Sequence, residues 1–215
     1  MTPERFDREE LANAVTHGAG LAASLLAGGV LIVLACLTRD AWQIVGASIY
    51  IVSLVVLYAA STAYHAARTP SLKKRLKLCD HCAIFGLIAG TYTPFTLGAM
   101  RGGWGWSLFG LVWGIAAVGI VAKIFFIGRF PRLSTFVYLG MGWLVVVALR
   151  PLQLSLPGGV LPWIIAGGLL YSLGTPFYHS RRLPYGHAVW HLFVIAGSAC
   201  HFVAVLSQLL PHLPG

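Results

Sequence analysis

The chain alternates long apolar runs with short polar breaks. Seven runs reach the length of about twenty residues that a helix needs to cross ~30 Å of hydrocarbon. Their approximate limits are 17–37, 42–66, 79–99, 104–126, 133–149, 160–178 and 187–209. The pattern predicts an all-α integral membrane protein, a seven-transmembrane helix bundle. Gly and Pro recur inside several runs, as in membrane bundles where small residues let helices approach closely. Trp42, Trp104, Trp106 and Trp163 fall near run ends, where indoles favour the membrane–water interface.

The stretch before the first run, MTPERFDREELANAVT, is acidic and amphipathic. It lacks the apolar core of a cleavable signal, so the first run is expected to stay as a span. Phe6, Leu11, Ala14 and Val15 set against Glu and Arg fit a short interfacial helix or a solvated lead-in. The chain thus divides into a cytoplasmic or interfacial segment, 1–16, and one bundle, 17–215.

Composition agrees with the pattern. The chain is 58% apolar and 10% charged, where soluble domains carry roughly a quarter charged residues. The net charge of +9 is a matter of topology. Arg5 and Arg8 precede the first run; Arg68, Lys73, Lys74, Arg75 and Lys77 follow the second. Lys123, Arg129 and Arg132 follow the fourth, and Arg181 and Arg182 the sixth. Twelve of fifteen basic residues therefore share one side, leaving Arg39, Arg101 and Arg150 on the other. The positive-inside rule places the N-terminus in the cytoplasm and the C-terminus outside. Such a distribution argues for contact with anionic lipid heads and against a nucleic-acid partner.

Asp80, at the start of the third run, is the only acidic residue inside one; Glu4, Asp7, Glu9, Glu10 and Asp40 read as lead-in or loop. A carboxylate at membrane depth marks a functional position, although a helix cap would use the same residue. His187 and His191 form an H-x3-H pair at the start of the seventh run, one turn apart on one helix face. His65 closes the second run, with Ser61 one turn before it. The topology brings these segments to one depth on one side of the bilayer. Three imidazoles with a water in the fourth position form a catalytic zinc arrangement. Asp80 is then expected to hold that water or orient a histidine, and Ser61 to bond the water or a substrate carbonyl. Asn13 and His17 share a face at the start of the first run and are expected to line the same cavity.

The remaining candidates read more simply. Cys79 and Cys82 form a lone C-x2-C, and Cys36 and Cys200 are small apolar residues. His179 reads as interfacial, His201 and His212 lack an evident partner, and Lys123 is expected to snorkel to the interface.

The motifs E-E-L-A-N-A-V-T-H-G (9–18), S-x3-H (61–65), D-H (80–81), G-T-Y-T-P (90–94) and H-x3-H (187–191) together resemble the hemolysin III family. That family is the bacterial branch of the progestin and adipoQ receptor group, and the likeness covers nearly the whole chain. It implies Zn2+ held by His65, His187 and His191, with Asp80 and Ser61 beside the bound water, in a multi-pass protein of the bacterial inner membrane. Its relation to alkaline ceramidases implies metal-dependent hydrolysis of a lipid amide or ester. Relatives also imply a non-catalytic regulator of membrane fluidity and energetics. The family name implies a pore-forming cytolysin, yet no run carries the repeated polar face that lines a wide channel.

Overall fold

The computed structural model describes residues 3–180 and 182–213, with side chains from Asp7 onward; the side chains of Glu4, Arg5, Phe6 and Arg181 lie outside the described residues. Among the described residues the chain is helical throughout, with no strand. Seven segments are long and apolar enough to cross a membrane: Asp7–Leu37, Ala41–Ala66, Pro70–Ala99, Gly103–Phe126, Pro131–Ser155, Val160–His179 and Gly186–His212.

Three boundaries differ from those read in the sequence. The amphipathic lead-in is no separate element, because one unbroken helix runs from Pro3 to Leu37. The third helix begins at Pro70, not near residue 79. Pro70 suits the first turn, where its missing N–H costs nothing, and the following Ser-Leu-Lys-Lys-Arg-Leu run is made largely of helix formers. Hydropathy registers only the part that sits in lipid, so the basic turns escape it. The fifth span is longer than read, and is a helix Pro131–Gly142, a tighter 3-10 stretch Trp143–Ala148 and a short helix Leu149–Ser155.

The spans form a ring in which the first packs on the second and seventh, the second on the third, and the third on the fifth. The fifth meets the sixth, the sixth packs on the seventh, and the fourth lies against the third. Tyr50, Leu54, Leu57 and Tyr58 of the second span are buried together with Phe85, Leu87 and Ala89 of the third. Outward faces are apolar instead, with Leu26 77%, Phe125 73% and Val147 72% exposed. Lipid is as apolar as these side chains, so the helices associate through close packing and internal hydrogen bonds.

The G-T-Y-T-P segment, 90–94, carries much of that closure. A Cβ on Gly90 would run into the Ser53 side chain, so glycine lets the second and third spans touch. The Tyr92 hydroxyl donates to Gly142 O (2.6 Å) and accepts from Val145 N (2.9 Å), completing backbone groups displaced by the tight turn of the fifth span. Thr93 Oγ1 accepts from Trp113 Nε1 of the fourth span (3.1 Å). Pro94, lacking an N–H, precedes a wide π turn over Phe95–Ala99, and its carbonyl accepts from Gln208 Nε2 of the seventh span (2.9 Å). Four of these five consecutive residues thereby tie the third span to four others.

The second and third spans also meet closely at Gly46, where a Cβ would lie 2.9 Å from Pro94 Cα. Gly46→Val should therefore destabilise the bundle by about 1–3 kcal/mol through a backbone clash. Gly29 is the matched control, since a Cβ there would meet nothing within 4 Å. Gly29→Ala should leave the melting temperature in detergent unchanged or raise it. Equal melting of wild type and Gly46→Val would contradict this packing.

Candidate metal centre

His65 lies in the last turn of the second span, and His187 and His191 occupy the first two turns of the seventh. The start of the seventh helix is set by Tyr185, which takes φ 56° and donates its backbone N–H to Glu9 Oε1 on the first span (3.4 Å). One ligand nitrogen from each of His65, His187 and His191 lies within 4.8 Å of the other two, so the group can hold a metal ion.

Their hydrogen bonds decide which nitrogen is offered. His65 Nδ1 lies 3.1 Å from Glu10 Oε2. A carboxylate only accepts, so Nδ1 carries the hydrogen and Nε2 keeps its lone pair. That Nε2 is buried and has no hydrogen-bond partner. His191 Nδ1 lies 3.2 Å from Asn13 O and 3.0 Å from Thr16 Oγ1. The carbonyl again requires a donor at Nδ1, leaving Nε2 bare. Two rings are thus locked in the tautomer that ligates through Nε2, by the outer-shell partners that metal-bound histidines have. An unpaired buried nitrogen in this setting fits a metal ion.

Asp80 on the third span and Ser61 on the second are both buried. Both line a cavity of about 410 Å³ that also reaches His187 and His191. His17 stacks on His191 at a centroid distance of 3.4 Å and lines the same cavity. Asn13 does not line it; one turn before His17 on the helix, it serves His191 through its backbone carbonyl. Cys79 and Cys82 are free thiols and belong to no group of three metal-ligating side chains among the described residues.

Four residues have roles that the sequence pattern does not reveal. Glu10, read as lead-in, bonds both His65 and, at 2.6 Å, Lys73 Nζ. Its spacing held the signal: residues 10, 13 and 17 recur at i, i+3 and i+7, one face of a helix continuous with the span. Thr16 is a second partner of His191. Lys123 does not snorkel outward; it is buried and donates to Ser134 Oγ (2.6 Å). His201 has a partner after all, its Nε2 lying 3.2 Å from Ile164 O. His179, as its position suggests, sits at the exposed end of the sixth span, 3.0 Å from Thr135 Oγ1.

The chain resembles known proteins over most of its length. The family model described as Haemolysin-III related matches residues 7–202. Over 199 residues the chain is 49% identical to the Hemolysin-3 homolog of Bacillus subtilis (strain 168), covering 93% of each chain. It is 45% identical over 207 residues to Hemolysin-3 of Bacillus cereus, covering 96% of this chain and 94% of that one. The Monocyte to macrophage differentiation factor of Homo sapiens is 29% identical over 211 residues, covering 94% of this chain and 84% of its own length.

Glu10→Gln removes the charge that holds His65 while keeping the side chain's shape. Metal affinity, measured by competition with a chromophoric chelator, should fall roughly 10–100-fold. An unchanged affinity would show that the carboxylate does not position His65 for a metal.

Proposed function

The chain belongs to the haemolysin-III family, and from that premise we propose that it is a zinc-binding multi-pass membrane protein that hydrolyses a lipid amide or ester at the cytoplasmic leaflet of the bacterial inner membrane. The observation that carries this reading is the convergence of His65, whose buried Nε2 has no partner, with His187 and His191, next to a cavity lined by the Asp80 carboxylate and many apolar side chains.

His65, His187 and His191 would hold the Zn2+. When bound, zinc polarises a substrate carbonyl and lowers the pKa of a water molecule toward neutrality. The rest is the work of the chain's own side chains. The Asp80 carboxylate accepts a proton from the attacking water and returns it to the departing amine or alcohol. Ser61 keeps that carboxylate aimed into the cavity. Glu10 and the Asn13 carbonyl hold His65 and His191 in register, and stacked His17 limits tilting of the His191 ring. Leu87, Ile88, Phe95 and Leu108 supply walls suited to an acyl chain and keep water from its length.

The side of the membrane follows from charge. Glu10, Lys73, His65 and His187 gather at the end of the bundle that bears most of the Lys and Arg residues. That end is therefore taken as cytoplasmic.

A non-catalytic reading has one observation in its favour. The histidines come from the second and seventh spans, and their partners from the first, so a zinc ion would also clamp three helices. A chelator that lowers the melting temperature of Asp80→Asn and wild type alike, with no hydrolysis by either, would favour that clamp.

Wild type should carry about one zinc per chain, and His187→Ala and His191→Ala should lose it. Asp80→Asn should keep the metal and lose ceramide or phospholipid hydrolysis by roughly 10²–10⁴-fold. Full zinc content in both histidine variants would remove the site, and undiminished turnover by Asp80→Asn would remove Asp80 from the chemistry.

A further inference from the structure

Lys123 stands in the last turn of the fourth span, among residues that face lipid: Ile124, Phe125 and Phe126 are 54%, 73% and 52% exposed. Lys123 itself is 7% exposed. Its Nζ donates to Ser134 Oγ and lies 5.6 Å from the centre of the Tyr138 ring. Neither partner carries charge. Among the described residues no carboxylate comes within ion-pair distance of it, the ion pairs being those of Glu10 and Asp40. A cation buried at membrane depth without a counter-ion is costly, and such residues mark ligand or ion sites.

The side chain turns inward because a cavity lies there, the same one that reaches Asp80 and His187. Lys77 and His81 of the third span line it as well, and His81 Nδ1 is buried without a hydrogen-bond partner. The cavity wall therefore presents two ammonium groups and an uncommitted imidazole with a single carboxylate, Asp80, which makes no ion pair with either lysine. The rest of the lining is largely apolar.

We infer that Lys123, with Lys77 and His81, binds a phosphate ester, the head of an anionic phospholipid whose acyl chain lies along the apolar part of the cavity. This deepens the lipid-hydrolase reading and rests on it for the substrate class. Several converging donors suit a phosphate, with more acceptor oxygens than a carboxylate, and lysine binds it as a point charge. Lys123 lies in the last turn of its helix, near one end of the span.

Trp143 and Trp190 also line the cavity, so their fluorescence reports its occupancy. The purified full chain in neutral detergent is titrated with dioleoyl phosphatidylglycerol, dioleoylglycerol, oleate and inorganic phosphate. Phosphatidylglycerol should bind at least about tenfold more tightly than dioleoylglycerol, as expected for a charge-assisted hydrogen bond. Lys123→Met should abolish that preference and Lys123→Arg should keep it. Competition by inorganic phosphate at concentrations similar to the lipid would make free phosphate the source of the same chemistry. Competition only at far higher concentrations marks the lipid. Equal affinity for dioleoylglycerol, equal affinity for oleate, or an unchanged preference in a folded Lys123→Met would overturn the assignment. Should Lys123→Met fail to fold, Lys77→Met must lower the preference instead, and no change there refutes the site. Repeating the titration on zinc-free His187→Ala separates the two proposals, since the preference should persist there whether or not wild type hydrolyses lipid.

Discussion

Within hydrocarbon a polar group finds its partner inside the protein or goes without one, and this constraint organises the whole bundle. Water offers no substitute, so each departure from regular helix calls for a side chain to complete it. The Tyr92 hydroxyl completes the tight turn of the fifth span, and Gln208 completes the Pro94 carbonyl beside the π turn. The irregular stretches are thus held by other spans, and they become the points at which the ring is fastened. Glycine does the complementary work at Gly46 and Gly90, where backbone from one span must reach another.

The same constraint gives meaning to the groups that remain incomplete. His65 has one nitrogen fully committed to Glu10 and the other buried with nothing to bond. His191 has its Nδ1 held by the first span in the same sense. A ligand nitrogen of each of these two rings and of His187 lies within 4.8 Å of the other two, and that convergence is what distinguishes a metal-binding group from histidines that merely pack. His201 also has one nitrogen on a carbonyl, Ile164 O, and the other buried without a partner, but it belongs to no group of three metal-ligating side chains among the described residues.

Charge follows the same economy. The Lys73 ammonium shares the Glu10 carboxylate with His65, so that pairing joins the first span to the second and third while orienting a candidate ligand. Lys123 has hydroxyl and ring partners but no anion among the described residues, and it faces a cavity. Two cations at the same end of the bundle, Lys73 half-buried with a carboxylate and Lys123 buried without one, therefore have different meanings.

The seven spans were legible in the sequence because hydrophobic length is a local property, and the approach of His65, His187 and His191 was legible because alternating spans bring every second boundary to the same end. The limits of the spans were less legible where charge masks a helix. The basic turns at 70–78 and the acidic lead-in both continue a helix that hydropathy stops short of. What tertiary structure alone decided is the pairing of side chains across spans. Glu10 reads as lead-in because its partners, His65 and Lys73, are 55 and 63 residues away. Lys123 reads as interfacial because its sequence neighbours are lipid-facing, while its own side chain follows the helix face toward the cavity. Periodicity within one segment tells which residues share a face; which face another helix covers depends on the closed ring of spans, and that closure is not a property of any one of them.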